Sequence, residues 1–325
     1  MAVFTSVSNS EAQTLLAQYR VGDFIELTGI PAGIENTNYF LNTTEGSFVL
    51  TVFEVLTHGQ LPFYVELMHW LAQRQLPVPL PQTRRDGKRI STLHGKPAII
   101  VSKLPGKWMS DPTVEHCKLA AQTMARSHLA GADFNIRQPN LRGLDWWRKT
   151  APEVTPFLTV AQESLLKAAL GHQIRLSQSS SLAMLAQGPA HCDYFRDNVL
   201  FTGSELVPAM GGVIDFYFAG CDYWLFDIAV AVNDWCIDRT TGELQKDKVT
   251  AWLTAYAAVR PFTDAECRHW PDMLQAAALR FWVSRLYDFY KPRPAKTLKP
   301  HDPTHFERIL SLRMTEQPPP LPESN

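Results

Sequence analysis

Residues 191–201 read His191-Cys192-Asp193-Tyr194-Phe195-Arg196-Asp197-Asn198-Val199-Leu200-Phe201, and Gly212-Val213-Ile214-Asp215-Phe216 follows shortly after. Asp193 stands five residues before Asn198. Asn198 opens an apolar run that reads as a strand, and Asp215 closes a second one. Thr202-Gly203-Ser204 and Gly211-Gly212 between them read as turn material. The pattern therefore carries an acid, an amide and a second acid to the ends of neighbouring short strands.

Phosphoryl transfer from a nucleotide needs such a set. Mg²⁺ is hard, takes oxygen ligands, and leaves most of its shell to phosphates and water. One carboxylate and one amide oxygen can supply the protein's share. A further carboxylate, not spent on metal, must orient the acceptor hydroxyl and receive its proton. The protein-kinase pattern His-x-Asp-x-x-x-x-Asn with a later Asp has this order and spacing. Asp193 is then the expected base, and Asn198 and Asp215 the expected metal ligands.

Upstream, the first hundred residues read as strands. Phe24–Thr28 alternates apolar and polar side chains. Tyr39–Leu41 and Phe48–Phe53 flank a Thr43-Thr44-Glu45-Gly46 turn, and Asp86-Gly87 is a hairpin signal between 82–84 and 89–91. His94-Gly95 leads into Ala98–Val101. One helix interrupts, at about 61–74, with Pro62 in its first turn and Pro77 beyond its end. The expectation is a five-stranded antiparallel sheet with one inserted helix.

Downstream of Pro105-Gly106 the pattern turns helical. Asp111-Pro112 reads as an N-cap with proline at the first helical position, opening a helix to about Leu129. Further helices are expected near 156–172, 223–236, 244–258 and 271–290, around the strand-rich 190–215. The fold class is thus α+β, a small antiparallel β lobe with one helix (1–103) joined to a larger, mostly helical lobe (104–316). A Pro-rich tail (317–325) is expected to be extended or frayed.

Composition excludes several classes. The chain has 325 residues, and its 31 Lys plus Arg against 32 Asp plus Glu give a net charge of −1. That speaks against a nucleic-acid coat, which needs a basic excess. No apolar run reaches the ~18 residues that span a bilayer, so no membrane partner is expected. Five scattered cysteines form no CxxC pair, and the amino terminus lacks a basic-then-apolar leader. Both fit a reducing, cytoplasmic setting.

These stretches resemble the aminoglycoside-phosphotransferase-like kinases, through His191-x-Asp193…Asn198, Ile214-Asp215-Phe216, Gly33-Ile34-Glu35-Asn36-Thr37-Asn38-Tyr39 and Phe226-Asp227-Ile228-Ala229. Within that family, Phe48–Glu54, Leu61–Tyr64, Phe195–Asn198 and Ala278–Asp288 are similar to the homoserine kinase branch. The resemblance implies a two-lobed protein-kinase-like fold, ATP and Mg²⁺, and L-homoserine as the small-molecule substrate. It implies that Gly33, Asn36 and Thr37 cover the phosphates and that Ser102, Lys103 and Leu104 face adenine. It makes Asp227 a supporting, structural acid. Two other readings remain open: a kinase of the same fold for choline, hydroxylysine, methylthioribose or an aminoglycoside, and a non-catalytic nucleotide-binding scaffold.

The chain departs from the kinase pattern in places. The strand lysine that holds the α- and β-phosphates is replaced by Thr51, which leaves Glu66 without its usual ion-pair partner. Phe216-Tyr217 stands in place of Phe-Gly, so no activation-loop switch is inferred. Cys192 is expected to be packing. The basic segment 84–107 is expected to be a solvated edge. Homoserine needs a donor fork for its carboxylate and an acid for its ammonium. Arg196, Arg280 and Arg285 are candidates for the first and Asp222 and Asp227 for the second, each competing with a structural ion-pair role. His128 is expected to be a satisfied core histidine.

Overall fold

The computed structural model describes residues 5–31, 36–292 and 301–322. Contacts divide these into two compact units, one ending at Pro105 and one beginning at Gly106.

The first unit comprises α1 (Asn9–Leu16), β1 (Phe24–Gly29), β2 (Asn36–Thr43), β3 (Gly46–Phe53), α2 (Leu61–Gln73), β4 (Ser91–Leu93) and β5 (Lys96–Ser102). The strands form one antiparallel sheet in the order β1-β2-β3-β5-β4. The β2–β3 register pairs Thr43 with Gly46 and Asn38 with Thr51. Side chains alternate across a strand. Tyr39, Leu41, Phe48, Leu50, Val52, Ala98 and Ile100 therefore share one face, where they bury α1 residues Ala12, Leu15 and Leu16. Asn36, Asn38, Thr51 and Ile99 belong to the opposite face.

The sheet and its inserted helix follow the sequence reading, with two differences. Helix α1 was not foreseen, although Ser8 and Glu11 form a capping box at its start. The Asp86-Gly87 turn forms, with Arg84 donating its N–H to the Lys88 carbonyl at 2.7 Å. Its arms are not paired strands, because each finds an outside partner. Gln82 of the first arm donates to the Ile100 carbonyl at 2.8 Å, and Ser91 of the second pairs with Ala98. The fifth strand is β4, joined to β5 across His94-Gly95.

The second unit holds α3 (Val114–Gly131), α4 (Leu144–Val154), α5 (Val160–Ser177), β6 (Gln187–Ala190), β7 (Val199–Gly203), β8 (Pro208–Val213), β9 (Gly220–Tyr223), α6 (Trp224–Trp235), α7 (Lys246–Ala257), α8 (Asp264–Tyr290) and α9 (Thr304–Thr315). Strands β6 and β9 form one ribbon and β7 and β8 another. Helix α6 is buried on nearly every side, as a helix apolar all round must be. Helix α3 packs on α7, and both α6 and α9 pack on α8. Trp235, Trp252, Trp270 and Trp282 are fully buried in this unit.

The N-cap of α3 is Thr113, in a capping box with His116, rather than Asp111. Gly211-Gly212 is not a turn. It lies in β8, where the ladder shifts register between Leu200 and Phe201. Gly106 is required where the second unit begins: its φ is +97° and a Cβ would fall 2.4 Å from the Phe201 carbonyl oxygen. Residues 317–322 of the Pro-rich tail have no regular structure, but they are docked rather than frayed. Trp270 Nε1 donates to the Pro319 carbonyl at 3.1 Å and Leu321 is buried. Among the described residues no helix is long and apolar enough to cross a membrane.

Candidate active site

Strand β6 delivers the chain into the loop His191-Cys192-Asp193, and the loop is held from beneath by Asp227 on α6. The Asp227 carboxylate accepts the backbone N–H of Cys192 on Oδ1 at 2.7 Å and that of His191 on Oδ2 at 2.9 Å. Oδ2 also meets His128 Nε2 at 3.0 Å, and His128 Nδ1 meets the Tyr256 hydroxyl at 2.8 Å. His128 stacks on Trp224 with centroids 5.2 Å apart. Burial pushes the Asp227 carboxyl up, but the bonds from His128 and the backbone outweigh it and leave the group below its ordinary range. Burial lowers the affinity of His128 for a proton, so a neutral ring donates from Nε2 to Asp227 and accepts from Tyr256 at Nδ1. Asp227 is thus a structural acid and His128 a satisfied core histidine.

Four further bonds draw the predicted site residues together. Asn198 donates from Nδ2 to the Asp193 carbonyl at 2.9 Å and to Asp193 Oδ2 at 3.2 Å. The Asn198 carbonyl accepts the N–H of Ile214 at 2.9 Å. His191 Nε2 donates to the Ile214 carbonyl at 2.9 Å. Ile214, the residue before Asp215, is therefore tied through both its N–H and its carbonyl to the segment that carries His191, Asp193 and Asn198. Burial keeps His191 neutral, as that donor role requires.

Two of these residues sit in the left-handed region: Cys192 at φ 60° and Asp215 at φ 61°. Such backbone costs about 1–3 kcal/mol in a residue other than glycine and is held by its surroundings. At Cys192 the restraint is visible in the Asp227 bond. The Cys192 thiol is buried and its pKa is raised well above the usual value, chiefly by that burial. It is packing, not a nucleophile.

The donor set suits a hard cation. Asp193 is half-buried and Asp215 is exposed. The Asn198 amide turns its nitrogen to Asp193, so its oxygen faces the other way. An amide oxygen and a carboxylate are the ligands magnesium prefers. Among the described residues no cluster of three or more His, Cys, Asp or Glu is placed to hold a metal.

Arg196 is built into the fold. Its Nε and its own N–H both bind Asp234 Oδ2, at 3.0 and 2.8 Å, and Nη1 donates to the Ser110 carbonyl at 3.0 Å. Arg285 lies over the Phe306 ring at 4.5 Å. Arg280, on α8, is buried. Asp222, on β9, accepts from Asn140 Nδ2 at 2.8 Å and from the Tyr223 N–H at 2.7 Å, and burial raises its pKa to about 6.

In the first unit, Gly33 lies outside the described residues. Asn36 opens β2 and is buried. Thr37 is fully buried on the face that receives α1: its hydroxyl donates to Glu54 Oε1 at 2.7 Å and accepts the Thr5 N–H at 3.1 Å. Any contact with a phosphate at this position falls to the backbone. Thr51 donates to Asn38 Oδ1 at 2.8 Å. Glu66, deprived of a strand lysine, pairs with Arg89 Nη1 at 2.8 Å. Lys96 pairs with Glu54. Much of the basic 84–107 segment is thus partnered and is not a bare solvated edge. Ser102 ends β5 and its hydroxyl accepts the Leu80 N–H at 2.9 Å. Lys103 places its ammonium 4.4 Å from the Phe40 ring centroid, and Leu104 is half-buried.

Sequence reasoning missed the Tyr256–His128 link, because it joins helices far apart in sequence and no local pattern announces it. It also missed Asn140, which holds Asp222, because it lies in a polar loop without a motif.

The family model described as phosphotransferase enzyme family (APH) matches residues 26–262. The homoserine kinase of Burkholderia multivorans is 56% identical over 329 residues, covering 99% of this chain and 98% of that protein. The homoserine kinase of Burkholderia vietnamiensis is 54% identical over 331 residues, covering 100% and 99%. Among solved structures, an amicoumacin kinase in complex with AMP-PNP and Ca²⁺ superimposes with a TM-score of 0.68 at 14% identity, covering 95% of this chain and 92% of that one. A microcompartment-associated aminopropanol kinase gives 0.65 at 17% identity, covering 94% of each. At these identities the structures speak for the fold alone.

Proposed function

Because the chain belongs to the phosphotransferase enzyme family, we propose that it is an ATP-dependent kinase that moves the γ-phosphate of ATP to the side-chain hydroxyl of L-homoserine. The product is O-phospho-L-homoserine, on the way to threonine. The observation that carries the acceptor is 54–56% identity to homoserine kinases across nearly the full length of both partners. What supports the chemistry is the bonded set Asp193–Asn198–Ile214, which holds an acid, an amide and a second acid at one loop.

In this reading Asp193 accepts the hydroxyl proton at its carboxylate as the oxygen attacks phosphorus. The Asn198 amide orients that carboxylate through Nδ2. Asn198 Oδ1 and Asp215 would hold Mg²⁺, which when bound neutralises charge on the transferred phosphate. The backbone around Gly33, Asn36 and Thr37 covers the phosphates, and Ser102–Leu104 faces adenine. The work is positioning and charge balance, with little covalent chemistry asked of the protein. A cytoplasmic location goes with this reading, since five scattered thiols suit a reducing compartment.

The test is phosphate transfer from ATP to L-homoserine, measured beside L-serine, L-threonine and choline. A kcat/KM for homoserine well above the others is expected. Preference for another acceptor, or ATP binding with no transfer, overturns the reading.

A further inference from the structure

We propose that Arg142 and Arg280 bind the carboxylate of the amino-acid acceptor and that Asp222 binds its ammonium, around the ring of Phe218. The inference rests on the kinase reading above and names the groups that select its substrate.

Phe218 closes the short turn that begins directly after Asp215. The β6–β9 register pairs Ala190 with Gly220. That ladder's two strands are the one that runs into the Asp193 loop and the one that leaves the turn after Asp215, so the turn carrying the ring follows Asp215 directly and leads into the partner of β6. Two guanidinium groups gather on it from separate elements: Arg142 from the loop before α4, with Cζ 5.8 Å from the centroid, and Arg280 from α8, at 5.2 Å. Paired guanidinium groups offer the planar donors that a carboxylate takes bidentately.

The anion is placed by the same framework. Asn140 donates to Asp222 from Nδ2 at 2.8 Å and accepts the Arg142 N–H on Oδ1 at 2.9 Å. One amide therefore sets the acid and the backbone of one cation together. The loop is pressed on β9 so closely that a Cβ at Gly220 would lie 2.6 Å from the Asn140 Cα. Asp222 and Arg280 both act electrostatically on the Cys192 thiol, which places each near the catalytic loop.

Arg196 binds Asp234 and Ser110, and Asp227 holds the backbone of 191–192. Two cations at Phe218 and an acid fixed by Asn140 match the two charges of a zwitterion whose hydroxyl arm reaches Asp193.

The test uses the full chain, three acceptors and three variants. The acceptors are L-homoserine, 3-aminopropan-1-ol, which lacks the carboxylate, and 4-hydroxybutanoate, which lacks the ammonium. Each is read as a substrate or as a competitor of homoserine. Arg142→Ala and Arg280→Lys should raise KM for L-homoserine about tenfold or more and leave the constant for 3-aminopropan-1-ol nearly unchanged. Asp222→Asn should weaken both amine-bearing compounds and spare 4-hydroxybutanoate. KM for ATP should hold throughout. Arg142 is only half-buried, so its variant carries the test if the Arg280 variant fails to fold. Variants that weaken all three acceptors equally, or none, overturn the inference while the function stands. A wild-type chain that phosphorylates none of them overturns the function, and the inference falls with it.

Discussion

Asp227 and Cys192 meet at a strained backbone: Oδ1 takes the N–H of a residue whose φ is 60°, at 2.7 Å. The bond fixes the residue immediately before Asp193. A buried carboxylate with three donors thus holds the loop that carries Asp193.

Replacement of Asp227 by alanine leaves two backbone N–H groups and His128 without their acceptor. Removing one partner from a buried charged set costs about 3–5 kcal/mol. Chemical denaturation should show a loss of this size, with kcat reduced in the fraction that remains folded. An Asp227→Ala enzyme of wild-type stability and kcat would contradict the anchoring role.

Asp193→Ala should behave differently. The side chain is half-buried and its described bond is to Asn198. Turnover should fall about 10²–10⁴-fold, the range for a lost general base, while the thermal midpoint moves little. Comparable turnover in the variant would remove Asp193 from the mechanism.

Thr37 offers a test of face against motif. Its hydroxyl serves Glu54 and Thr5 on the α1 side of the sheet. Thr37→Val should cost about 1–3 kcal/mol by leaving a buried acceptor short of a donor, and Thr37→Ser should restore most of it. KM for ATP should follow neither change. A variant of normal stability with a raised KM for ATP would return the hydroxyl to the nucleotide.

Stability should fall as the medium is acidified from neutrality. Burial lowers the folded pKa of His69, His116, His128, His191 and His301, and that of His305 to about 4. Below the unfolded value of about 6.5 the unfolded chain binds protons that the folded chain refuses, so unfolding gains. Asp222 and Asp197 work in the opposite direction, since burial raises their folded pKa, that of Asp222 to about 6, and they take up protons before the unfolded chain does. Six histidines outweigh two acids, and the midpoint of urea unfolding should decline between about pH 6.5 and 4.5. A midpoint that rises over this window would contradict the burial of these rings.

Thiol labelling should rank the cysteines by exposure. Cys267 is exposed and Cys221 half-buried, whereas Cys117, Cys192 and Cys236 are buried. Burial raises the pKa of Cys192 and Cys236. Iodoacetamide on the native protein should modify Cys267 first and the three buried thiols only after unfolding, as peptide mapping would show. Early modification of Cys192 would mark it as reactive.

What the sequence disclosed was local. Alternation gave the strands of the first unit, and Pro62 marked the start of α2. The spacing of Asp193, Asn198 and Asp215 foretold a group that hydrogen bonds do hold together. What it hid depended on pairing. The arms around Asp86-Gly87 looked like a hairpin, and only the position of β5, which takes Gln82 and Ser91, diverts them. Thr37 looked available until the β2–β3 register put it on the face of Tyr39 and Leu41. The Pro-rich tail looked loose because nothing within it records that Trp270 waits for the Pro319 carbonyl.

The Tyr256 hydroxyl touches His128, His128 touches Asp227, and Asp227 grips the turn ahead of Asp193. A genetic screen for sluggish alleles would therefore be drawn to α7, to a phenol remote from every reacting atom. Replacing it with phenylalanine removes one oxygen and slackens a tether two links away. Such an allele would look innocent on any map drawn from proximity to the chemistry.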